Sequence, residues 1–64
     1  MKLVEALELV FEKGTSIRRK DWAKANLVLM RNKTLSILQE SGEFLPWIIS
    51  YDDVRADNWE VLET

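Results

Sequence analysis

Neither cysteine nor histidine occurs among the 64 residues of this chain, and that double absence restricts its fold more than any single motif does. A domain this short buries only about 60% of the surface its unfolded chain exposes, and many such domains recruit a disulfide or a metal to compensate. Here disulfide staples, thiolate metal sites, His-ligated zinc and imidazole-based triads are excluded. Stability has to come from apolar side chains, and self-association into a homo-oligomer, a dimer or tetramer, is the expected way to complete the core. One domain over residues 1–64 is expected. The longest apolar runs fall well short of the roughly 18 residues that span a bilayer, and no cleavable signal is visible. The expected setting is therefore a reducing compartment, most simply the cytoplasm, without membrane contact.

The net charge of −2 is unevenly spread. Residues 1–32 hold seven basic and four acidic side chains, whereas residues 33–64 hold two basic and seven acidic. Such asymmetry marks either an anion site in the basic half or two halves that attract each other. The net acidity and the shortness of the basic run argue against a nucleic-acid partner.

Residues 3–13, LVEALELVFEK, carry apolar positions at the spacing of an amphipathic helix. Leu3, Val4, Leu7, Val10 and Phe11 share its expected buried face, with Ala6 at the edge and Leu9 exposed among glutamates unless a partner covers it. Gly14 supplies the left-handed residue that ends it, and Lys13 complements the helix dipole. TSIRRKDW, residues 15–22, follows as a short strand running into a turn. Alternation sets Ile17 and Arg19 on one face and Ser16 and Arg18 on the other. If Ile17 faces the helix, Arg19 needs a carboxylate, a carbonyl or a bound anion, whereas Arg18 and Lys20 are expected in solvent.

Residues 27–38 read as a hairpin turning at Asn32 and Lys33. Leu27 to Met30 is apolar without alternation, so both faces of that strand are expected to be covered, one of them by a second subunit. After a turn at residues 40–43 comes FLPWIIS, a strand that Pro46 confines to an edge or a bulge. Ser50 and Asp53 have the spacing of a reciprocal cap on a one-turn helix. NWEVLE closes the chain as a strand with Trp59 and Val61 inward. The expected fold is α+β: an N-terminal amphipathic helix packed on a small, mainly antiparallel sheet of about five strands in a meander, with a one-turn helix before the last.

Two patches then form a pattern. The first is EAL at Glu5, Ala6 and Leu7, followed by Gly14, Ile17, Arg19 and Trp22 as G-x-x-I-x-R-x-x-W. The second is Trp47, Ser50, Asp53, Ala56 and Trp59 as W-x-x-S-x-x-D-x-x-A-x-x-W. In this order the chain resembles the second family of phage Thoeris anti-defence proteins, as a short variant lacking their central insertion. Asn58 stands where that family often has aspartate, and Asp21 where it often has glycine. The resemblance implies a phage-encoded sponge that sequesters a cyclic-nucleotide-type immune signal in the host cytoplasm without cleaving it.

Arg19, Trp22, Trp47, Ser50 and Asp53 are the candidate ligand-binding residues. Trp22 can stack a base, Arg19 can fork onto a phosphate or pair internally with Asp53, and Ser50 and Asp53 can hold hydroxyls or a base edge or serve only as the cap. Trp47 and Trp59 can equally be core anchors. No catalytic residue, metal or cofactor is expected: Ser50 has no base placed beside it, and the adjacent Asp52 and Asp53 point apart. The alternative is a small phage protein that inhibits a host protein by direct contact.

Overall fold

The computed structural model describes residues 1–22 and 26–62. In chain order the elements are α1 (Leu3–Lys13), β1 (Ser16–Arg19), β2 (Leu27–Arg31), β3 (Thr34–Leu38), β4 (Phe44–Pro46), α2 (Tyr51–Arg55) and β5 (Trp59–Leu62). The five strands form one antiparallel sheet in the order β4-β3-β2-β1-β5. The first four run as the expected meander. The fifth departs from it: β5 crosses from one edge of the sheet to the other and pairs with β1, with Ile17 opposite Val61 and Arg19 opposite Trp59. This α+β arrangement is the expected fold class, and the place of that last strand is its main topological difference from the sequence pattern.

Local chemistry fixes the turns. Gly14 ends α1 at φ 67°, its amide bonded to the Val10 carbonyl. Asn32 and Lys33 both have positive φ, 53° and 65°, as a two-residue turn matched to strand twist requires. Ser50 and Asp53 form the reciprocal cap of α2: the Asp53 amide donates to Ser50 Oγ at 3.2 Å and the Ser50 amide to Asp53 Oδ2 at 3.3 Å. The strand expected over FLPWIIS stops at Pro46. Pro46 has no amide to donate, and after one further bond, from the Trp47 amide to the Leu35 carbonyl, the chain leaves the sheet.

The core lies between α1 and one face of the sheet, where Leu3, Ala6, Val10, Ile17, Val28 and Trp59 are buried. The helix stripe is narrower than its periodicity implies. Val4 and Phe11 are exposed and Ala6 is sealed at the centre, because of the strands α1 reaches β1, β2 and β5 alone, with α2 beside it, and a small residue lets helix and sheet approach. Leu9 is half-buried rather than exposed. Register divides the two-sided strand: Val28 and Met30 face the core, and Leu27 and Leu29 face away. Arg18, expected in solvent, pairs with Glu60 across β1 and β5, Nε to Oε1 at 2.6 Å. Among the described residues no helix is long and apolar enough to cross a membrane.

Candidate functional site

Asp53 is the node at which the picked residues meet. Buried on the first turn of α2, it accepts the Ser50 amide on Oδ2 and faces Arg19 Nη1 at 3.5 Å on Oδ1. Its backbone carbonyl accepts the indole N–H of Trp59 at 3.0 Å. The β1 alternation carries Arg19 to the core side, as Ile17 beside it requires, and Arg19 finds its partners there. Nε donates to Asn58 Oδ1 at 3.2 Å, and the exposed Asp21 lies 3.7 Å away. Arg19 thus makes an internal ion pair with Asp53.

The tryptophans form the apolar side of this network. Trp59 is buried, and Trp22 and Trp47 pack edge-on against it with ring centroids 5.1 Å and 5.8 Å away and interplanar angles of 78° and 70°. Such T-shaped contacts set the positive edge of one ring against the negative face of another. Trp22 and Trp47 remain half-buried, so each retains indole surface at the exterior. Trp22 and Trp47 therefore join Ser50, Asp53 and Arg19 through Trp59, which the sequence marks only as a core anchor.

Asn58 is the other participant that sequence reasoning missed. It holds Arg19 through Oδ1 and donates through Nδ2 to Asp21 Oδ1 at 3.1 Å. Its signal was present, because Asn58 and Asp21 are both departures from the family pattern and they bond to each other. An aspartate at 58 would set two carboxylates together here, and the amide avoids that repulsion.

The polar floor is thus a satisfied cluster, with Arg19 balanced by Asp53 and Asp21. Of the other basic side chains near residues 18–24, Arg18 is tied to Glu60, Lys20 is exposed, and Lys24 lies outside the described residues. Ser50 is exposed, and its hydroxyl is turned to the cap. No cluster of three potential metal ligands occurs among the described residues. An open depression lined by Asn26, Ile37, Gln39, Glu40 and Ser41 contains none of the five picked residues.

No curated protein matches the chain. The family model described as Tad2-like, Thoeris anti-defense 2-like domain, matches residues 1–62, a span that takes in α1, the whole sheet and every member of the Asp53 network. The chain belongs to the Thoeris anti-defense 2-like family, and its role lies in phage anti-defence.

Proposed function

We propose that the protein binds a nucleotide-derived immune signal, of cyclic-nucleotide or cyclic ADP-ribose type, and holds it intact as a homo-oligomer in the cytoplasm of the infected bacterial host. The observation that carries this reading is the joining of two half-buried indoles, Trp22 and Trp47, to a polar floor of Ser50, Asp53 and Arg19 through one buried ring. A flat heterocycle stacks on an indole whatever its sequence or substituents, for about 1–3 kcal/mol. Beside it, the Ser50 hydroxyl can donate to a ribose or base oxygen. Arg19, with Asn58 and Asp53 on its guanidinium, acts by orienting Asp53.

Sequestration needs tight binding and slow release, so the performance of such a protein rests mainly on its dissociation rate. Catalysis has little support. The Ser50 hydroxyl accepts from the Asp53 amide, and the Asp53 carboxylate is engaged with the Ser50 amide and Arg19. One observation favours inhibition of a host protein instead: Ile48, Tyr51 and Val54 are 85%, 70% and 52% exposed on and beside α2. Thermal denaturation with and without cyclic nucleotides separates the two readings. Sequestration predicts a raised midpoint with at least one of them, and a flat response across cyclic ADP-ribose-type and dinucleotide ligands favours the protein-binding inhibitor.

A further inference from the structure

Asn26, Ile37, Gln39, Glu40 and Ser41 line the open depression at one end of the sheet, and strand register ties it to the Asp53 network. Ile17 lies opposite Val28 and Leu27 opposite Leu38. Continued past the strand ends, this register sets Arg19 beside Asn26 and Asn26 beside Gln39, all on the face that holds Ile17, Val28 and Ile37. On the other side of Arg19, Trp59 lies opposite it. Trp59, Arg19, Asn26 and Gln39 therefore form one row across β5, β1, β2 and β3, about 14 Å long from three strand spacings. The far end of the row is open because α1 contacts β1, β2 and β5 and stops short of β3. There Ile37 is half-buried, and Leu45 opposite it is 41% exposed.

We infer that this depression is a second subsite for the same ligand, taking a second nucleobase while Trp22, packed on Trp59 at the other end of the row, stacks the first. The inference rests on the signal-binding reading above and makes a two-base cyclic dinucleotide the preferred ligand.

Size, chemistry and readiness support it. The depression holds about 610 Å³, within the roughly 300–1,000 Å³ of small-molecule sites. Ile37 offers an apolar floor for a ring. The Asn26 and Gln39 carboxamides each present a donor and an acceptor, the Ser41 hydroxyl serves as either, and Glu40 accepts from a ring N–H or an exocyclic amine. That set complements the edge of a base. No cation is among the lining residues, and the Glu40 carboxylate repels phosphate, so the depression suits an uncharged part of the ligand.

Readiness separates it from the Asp53 network. Arg19 and Asp53 are engaged with each other and with their neighbours. Among the described residues, the side chains of Asn26, Gln39, Glu40 and Ser41 make no hydrogen bond or ion pair. A ligand can therefore bond to them without breaking an internal contact. The turn that carries three of them is also fixed in shape. The Gln39 amide donates to the Glu43 carbonyl and the Gly42 amide to the Gln39 carbonyl, both at 2.9 Å, with Gly42 at φ 88°.

The test is calorimetric titration with cyclic di-AMP and cyclic di-GMP, set against the corresponding cyclic mononucleotides and cyclic ADP-ribose, which carry one base. Gln39 and Glu40 are exposed, so their alanine variants should stay folded, checked by circular dichroism. The parent should bind at least one cyclic dinucleotide more tightly than its one-base counterpart. Gln39→Ala and Glu40→Ala should each weaken that binding by about two- to tenfold and narrow the gap between two-base and one-base ligands. Trp22→Ala should weaken both kinds, and Glu12→Ala, on the exposed side of α1, should change neither. If the position 39 and 40 variants bind the dinucleotides as the parent does, or if one-base ligands bind as tightly or alone, this inference is overturned and the signal-binding reading stands. Absence of binding heat with every one of these ligands would overturn both.

Discussion

Arg19 and Asp53 approach at 3.5 Å with 22% and 12% of their side chains exposed, which makes them neither a loose surface pair nor a sealed one. Removing the cation leaves a mostly buried carboxylate short of one partner, and that costs about 1–3 kcal/mol. Arg19→Ala is therefore expected to lower the urea midpoint measurably, and Arg19→Lys to recover little, since one ammonium cannot span Asn58 and Asp53 together. Asp21 and Asn58 invite a double-mutant cycle. Asn58→Asp should destabilise by about 0.5–1 kcal/mol, and Asp21→Gly should restore most of that loss if repulsion between carboxylates is the cause. Trp22→Ala loses an edge-to-face contact worth about 0.5–1.5 kcal/mol in stability, and under the proposed function it weakens ligand capture by a further ten- to hundredfold or more. Much of this site was legible. Alternation placed Arg19 beside Ile17 and demanded a partner, and the Ser50 to Asp53 spacing gave the cap. The role of Trp59 was not, because its indole donates to a backbone carbonyl, and such an acceptor leaves no mark in a sequence.

At the level of elements, α1 shows how far periodicity reaches. The 3.6-residue pattern located the helix and its end at Gly14, but it could not tell which residues of a broad apolar stripe would meet so narrow a sheet. Ala6, fully buried, proved central. Ala6→Leu should push helix and sheet apart and cost about 1–3 kcal/mol, read as a drop in thermal midpoint. The β2–β3 turn offers the opposite change. Lys33 has a side chain at φ 65°, so Lys33→Gly relieves left-handed strain and should stabilise by about 0.5–1 kcal/mol, checked by the same melt. The position of β5 could not be read from the chain, since every local signal in NWEVLE fits a strand beside β4 as well as one beside β1. For the same reason the Arg18–Glu60 pair escaped notice: its partners lie 42 positions apart and meet only through that crossover.

Across the whole molecule, the uneven charge resolves into attraction between its halves. Arg18 meets Glu60 and Arg19 meets Asp53, each a basic residue of the first half with an acid of the second. This use of the basic run leaves less positive charge for a ligand than the sequence suggests, and it moves the weight of the functional reading onto the indoles. Calorimetric titration of the purified protein with cyclic ADP-ribose-type and cyclic dinucleotide ligands, followed by heat denaturation and mass analysis of what is released, tests that reading most directly. Saturable binding of at least one ligand, recovery of that ligand with its mass unchanged, and loss of the binding heat in a folded Trp22→Ala variant are the expected results. Release of a cleaved product would contradict it by making the protein an enzyme, and absence of binding heat across the panel would contradict it by leaving the protein no signal to hold.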